Sequence, residues 1–89
     1  MTLQQSEIEA AIKCKVMEIA QTLGSDASDL KADDVIPATG HIDSAGLLEL
    51  IAWFEDAYAF TIPAAELTID NLGTMTAMGQ YLLRRKGLA

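Results

Sequence analysis

No lysine or arginine occurs between Ala32 and Leu83, a gap that bears directly on which partners the chain can bind. The basic residues stand only at Lys13, Lys15, Lys31, Arg84, Arg85 and Lys86, while the gap holds Asp33, Asp34, Asp43, Glu49, Glu55, Asp56, Glu66 and Asp70. With a net charge of −7, such a surface repels a nucleic-acid backbone or an anionic bilayer. It attracts a basic patch on a protein partner instead. Cysteine is equally scarce. The lone Cys14 can form no intramolecular disulfide, so the chain is not a disulfide scaffold. Lying between Lys13 and Lys15, it reads as an exposed thiol without a role. The N-terminus lacks a basic segment followed by an apolar core, and no apolar run reaches membrane-spanning length. The expectation is a cytoplasmic protein with no nucleic-acid and no membrane partner. Neither a histidine- or cysteine-based nucleophile–base pair nor a metal-ligand cluster is visible, and Asp33-Asp34 lacks the alternation of a calcium loop. No catalytic residue and no metal site are therefore expected, and the chain does not read as an enzyme.

What is present is a helical pattern. Half of the 89 residues are hydrophobic (51%) and only 21% are charged, which argues for a folded core. The length predicts one domain over 1–89, near the lower limit for a self-sufficient core, and a monomer. Ile8, Ile12, Val16, Ile19 and Leu23 fall at helical spacing and predict a first helix over 6–23, with Ser6 and Glu9 as a capping box and Gly24 as its stop. A long polar connection follows from Ser25 to Ile42, with Leu30, Val35 and Ile36 as its anchors to the core. Loops of this length in small domains are usually functional. A second helix is predicted from Asp43 or Ser44 to about Tyr58. Leu47, Leu50, Ile51, Phe54 and Tyr58 line its inner face; Ala45, Leu48, Glu49, Ala52 and Asp56 lie on the other side, with Trp53 beside them. A turn at Pro63 leads to a brief helix over 63–67. The last helix is predicted from just after Thr74 to Lys86, with Met75, Met78, Leu82 and Leu83 inward and a basic C-terminal turn suited to the helix dipole. No repeat, low-complexity tract or strand pattern is visible. The expected fold is all-α: a four-helix bundle with three main helices, one short helix and a long loop between the first two.

The stretch that carries chemistry is Gly40-His41-Ile42-Asp43-Ser44-Ala45-Gly46-Leu47-Leu48-Glu49-Leu50. It places a serine at the mouth of a helix after a long loop, where backbone N–H groups and the helix dipole favour negative charge. A phosphodiester on Ser44 would sit in a favourable field. Serine alone is a poor nucleophile and no base within the chain is obviously placed to activate it, so another protein must supply the chemistry of its modification. Taken by itself, Asp43-Ser44 is also a common way to start a helix, with Ser44 as its N-cap. His41 reads as a loop residue, and Trp53 either packs under the 25–42 segment or anchors a partner.

Together these residues resemble the acyl carrier protein family. The Asp43-Ser44 pair with Glu49-Leu50 following closely is its signature, and the similarity continues through Phe54-Glu55-Asp56, Ile62-Pro63, Asn71-Leu72 with Thr74, and Tyr81. The resemblance implies that the chain is a free-standing carrier whose Ser44 accepts 4′-phosphopantetheine from coenzyme A, transferred by a Mg²⁺-dependent phosphopantetheinyl transferase. An acyl or aminoacyl group is then carried as a thioester on the arm. Asp43 would serve transferase recognition, and Ala45, Leu48, Glu49, Ala52, Trp53 and Asp56 would face partners: a loading ligase and downstream acyl-processing enzymes with basic docking patches. Where the family commonly has leucine and then an acidic residue after the serine, this chain has Ala45 and Gly46. That departure points away from general fatty-acid synthesis and toward specialised polyketide, nonribosomal or modified-acyl pathways. The rival reading is an acidic helical interaction module that keeps the fold without modification.

Overall fold

The computed structural model describes residues 3–88, and all of their regular structure is helical. In chain order the elements are α1 (Gln5–Thr22), α2 (Ile36–Thr39), α3 (Ser44–Ala57), a 3-10 turn (Ala64–Glu66), α4 (Ile69–Leu72) and α5 (Met75–Arg85). The three long helices are those the periodicity predicts, and the all-α carrier-like bundle forms as expected. The brief helix expected over 63–67 is the 3-10 turn, and the single-turn helices α2 and α4 come in addition.

Each long helix contributes one stripe to a common core. Ile8, Ile12, Val16, Ile19 and Ala20 of α1 meet Leu50 and Phe54 of α3 and Met75, Met78, Tyr81 and Leu82 of α5. Leu23, expected at the end of the α1 stripe, is instead 49% exposed, because the helix ends at Thr22 and Leu23 is its C-cap. Phe54 is fully buried at the centre, with Tyr58 and Phe60 edge-on at 5.5 and 5.4 Å. Edge-to-face pairs at this range add about 0.5–1.5 kcal/mol each to the burial itself.

The helix ends show which local signals survive tertiary contact. The expected Ser6–Glu9 box does not form. The helix begins one residue earlier, and Gln5 Nε2 donates both to the Glu9 carboxylate and, at 3.1 Å, to the Thr76 carbonyl. Gln5 thereby takes the glutamate the box would have used and ties α1 to α5. Elsewhere the caps are local: Thr68 Oγ1 accepts from the Asn71 N–H at 3.2 Å and Thr74 Oγ1 from the Ala77 N–H at 2.9 Å. Gly24 and Gly87 follow α1 and α5 as expected, with φ of 78° and 72°.

The connection between α1 and α3 is held by apolar anchors and by backbone pairing. Ala27, Leu30, Ile36 and Ile42 are buried, whereas Val35, an expected anchor, is 37% exposed as the N-cap of α2. The Ile36 N–H donates to the Gly73 carbonyl at 2.8 Å, and the Thr76 N–H to the Ala32 carbonyl at 3.0 Å. These two bonds pin the connection to the start of α5 and so fix the path by which the chain enters α3.

Candidate functional site

Ser44 is the first residue of α3 and is exposed. The cap is Asp43, whose extended backbone (φ −94°, ψ −173°) lets its carboxylate Oδ1 accept from the Gly46 N–H at 2.8 Å. The alternative that Ser44 serves as N-cap is therefore not what the helix uses. The Leu47 N–H donates to the Asp43 carbonyl at 2.8 Å. The N–H groups of Ser44 and Ala45 remain as first-turn donors unused within the helix, where they favour a negative group on the serine. A hollow of about 250 Å³, lined by Pro37, Ile42, Asp43, Ser44 and Leu47, opens beside the hydroxyl. An exposed serine with helix N–H groups behind it fits a covalent phosphodiester.

A second hollow, lined by Pro37, Leu47, Ile51, Leu67, Thr68, Ile69, Leu72 and Gly73, shares Pro37 and Leu47 with the first. No charged side chain lines it, and its volume is about 100 Å³. Ile69 (64% exposed) and Leu67 (44%) border it on the solvent side. An apolar trough beside α4 thus adjoins, through Pro37 and Leu47, the hollow at the serine. Sequence reasoning missed it because its outer wall is a one-turn helix too short to show periodicity.

The residues expected to face partners lie along α3. Ala45, Leu48, Glu49, Ala52 and Asp56 are exposed, Leu48 to 66%. Ala45 stands over the seam with α1, beside Ile19, Thr22 and Leu23. Glu49, Ala52, Trp53 and Asp56 come together around one open hollow with Phe60 and Thr61. Two carboxylates are less free than the sequence suggests. Glu49 lies 3.7 Å from the Lys15 ammonium, and Glu55 accepts from the Ile62 N–H at 2.7 Å, which folds the turn after α3.

Trp53 is half-buried against the core. It stacks on Phe54 with ring centroids 6.3 Å apart and meets Tyr58 edge-on, also at 6.3 Å. No residue of the 25–42 segment belongs to this aromatic group. Trp53→Ala is expected to lower unfolding free energy by about 1–2 kcal/mol, below the range for a fully buried tryptophan. Hydrogen exchange in the 25–42 segment should stay unchanged. A chemical denaturation curve identical to the wild type would place the indole outside the core and leave partner contact as its role.

Gly46 is buried, and the sequence alone gives no reason for it. A Cβ there would lie 2.9 Å from Ile19 Cγ2, 3.2 Å from Ile42 Cβ and 3.3 Å from Asp43 Oδ1. The first turn of α3 approaches α1 so closely that a side chain does not fit without movement. Any side chain at this position, acidic or not, meets these contacts.

Among known families, a model described as a phosphopantetheine attachment site matches residues 16–79, well over half of the chain. No curated protein and no solved structure matched. Domains of this family carry covalently bound 4′-phosphopantetheine. They are carriers rather than catalysts, and they interact with phosphopantetheinyl transferases and acyl-processing enzymes. Among the described residues no helix is long and apolar enough to cross a membrane. The match, the all-helical fold and the exposed serine at the mouth of α3 agree, and the chain belongs to the acyl carrier family of phosphopantetheine attachment domains.

Proposed function

We propose that Ser44 is the attachment point and that the chain, as one cytoplasmic carrier domain, presents an apolar acyl group to the enzymes of a specialised pathway. The observation that carries the reading is the exposed Ser44 at the first position of α3, capped by Asp43 and opening onto a hollow that shares Pro37 and Leu47 with an uncharged one. When bound, the phosphopantetheine arm supplies a thiol that holds the cargo as a thioester. The protein contributes a serine clear of the core, helix N–H groups that favour the phosphodiester, and an apolar wall. That wall favours an acyl over an aminoacyl cargo, since a free ammonium beside it would lose hydration without gaining a partner. About 100 Å³ seats a short segment of acyl chain, given that a water-sized group takes roughly 30 Å³.

Incubation with a phosphopantetheinyl transferase, coenzyme A and Mg²⁺ tests the assignment by intact-protein mass and peptide mapping. One phosphopantetheine on Ser44 is expected. No gain in mass, or modification mapped to Ser6, Ser25 or Ser28, would overturn it and favour the unmodified interaction module.

Docking is proposed to use the α3 face around Leu48, Glu49, Ala52, Trp53 and Asp56, with Ala45 at its Ser44 end and Asp43 facing the transferase. Rim charges act mainly on encounter rate. Replacing Glu49 and Asp56 together by lysine is expected to slow transfer to basic partners about tenfold or more at low salt. Stability should fall by about 1 kcal/mol, since the partly buried Lys15 loses Glu49 and faces a like charge but keeps Glu18. Partner kinetics unchanged at low ionic strength would remove both carboxylates from the docking face.

A further inference from the structure

The His41 side chain lies three residues before Ser44 and joins the two ends of the long connection. Its Nδ1 is 2.8 Å from Ser25 Oγ, and its Nε2 is 3.3 Å from Asp29 Oδ1. The neutral tautomer with its proton on Nε2 satisfies both, donating to the carboxylate and accepting from the hydroxyl. The backbone on either side is fixed as well. The His41 N–H donates to Thr39 Oγ1 at 3.3 Å, and Thr39 Oγ1 donates to the Ile36 carbonyl at 2.7 Å. At the far end the Asp26 carboxylate accepts from the Ser28 N–H at 2.9 Å, which holds that carboxyl below its ordinary pKa and shapes the turn that presents Asp29. The His41 imidazole is only 20% exposed, while Asp29 is 82% exposed. The clamp therefore sits at the surface, outside the apolar core, and carries little of the fold's stability.

We infer that His41, held by Ser25 and Asp29, is a positioning residue for modification of Ser44: the clamp fixes the approach of the 40–43 segment and so orients the serine toward the transferring enzyme. The inference rests on the assignment of Ser44 as the attachment point. The core anchors Ile36 and Ile42 set where the segment runs. Between them Gly40 adopts φ 78°, a conformation open to glycine at little cost, and the chain there has no apolar side chain to hold it. The imidazole supplies that restraint at the one point where the chain turns toward α3. Asp43 stays tied to α3 by the bond it accepts from the Gly46 N–H, so loosening residues 40–42 leaves the docking face intact and chiefly misdirects the acceptor hydroxyl, which lowers kcat rather than raising KM.

Steady-state loading by a phosphopantetheinyl transferase, with coenzyme A saturating and carrier varied, separates these effects. His41→Ala is expected to lower kcat about tenfold with KM for the carrier nearly unchanged, within the range misplacement of a reacting group produces. His41→Gln should restore most of the rate, because its amide offers an acceptor and a donor on one planar group in place of the imidazole pair. His41→Ala combined with Asp29→Ala should lose no more than His41→Ala alone, as expected for two groups acting through one contact. Wild-type kinetics for His41→Ala, a KM effect without a kcat effect, or equal impairment of the alanine and glutamine variants would each overturn the clamp while Ser44 stands. A wild-type chain that takes up no phosphopantetheine would overturn the Ser44 assignment, and the role of His41 with it.

Discussion

Ser44→Ala is expected to abolish phosphopantetheine uptake and to leave the fold almost unchanged. The loss of loading should be complete, because on the proposed assignment the phosphodiester needs an oxygen on residue 44 and the alternative hydroxyls lie elsewhere. Ser25 is engaged with His41, and Ser6 and Ser28 stand in α1 and in the turn that follows it. The small effect on stability follows from the division of labour at the start of α3. A serine that caps a helix costs ~1 kcal/mol when replaced by alanine. Here Asp43 makes the capping bond, so Ser44→Ala removes only an exposed hydroxyl at the first helical position. Surface changes of that kind fall within about 0.5 kcal/mol. The partner substitution, Asp43→Ala, should cost ~1 kcal/mol for the same reason. Intact mass after exhaustive loading reads the first effect and denaturant midpoints read the second. A loaded Ser44→Ala chain would end the assignment.

The parts of this arrangement that the sequence made legible are those that depend on neighbours along the chain. Helical spacing is a signal summed over a dozen residues, and it placed α1, α3 and α5. Threonine ahead of α5 and glycine after α1 and α5 act within a turn, so they read correctly. The single-turn helices α2 and α4 were invisible because four residues show no period. The Ser6–Glu9 box was a sound local signal defeated by a distant one: Gln5 reaches the carbonyl of Thr76, on the helix at the other end of the chain. The Lys15–Glu49 pair and the His41 clamp likewise join residues far apart in sequence. The setting of Ser44 was legible because it is local, a long loop followed by a helix start, although the cap proves to be Asp43 and not the serine. The trough beside it was not, since three separate segments build its walls.

Gly46 gives the sharpest difference between local and tertiary reasoning. On helix propensity alone, Gly46→Ala should stabilise α3 by about 1 kcal/mol. The structure reverses the sign. The added methyl would lie 2.9 Å from Ile19 Cγ2 on α1, closer than van der Waals contact, and 3.2 Å from Ile42 Cβ on the other side. Ile19 is only 4% exposed and Ile42 5%, so neither has solvent to move into. Overpacking of this kind costs about 1–3 kcal/mol, which offsets the propensity gain and leaves a net loss. Gly46→Asp, which puts an acidic residue where the family commonly has one, is expected to do far worse. It adds the same clash and sets a second carboxylate beside Asp43 Oδ1, which would lie 3.3 Å from the new Cβ and already holds the Gly46 N–H. A second negative charge on the same turn as Asp43 and a carboxylate drawn partly out of water add to the overpacking, for a total of about 3 kcal/mol. Since small domains hold only about 5–15 kcal/mol of stability, the aspartate variant should show a markedly lower thermal midpoint, and the alanine variant a modest one. Should Gly46→Ala prove more stable than the wild type, α1 must yield at Ile19, and steric closeness of the two helices would no longer explain the glycine after Ala45.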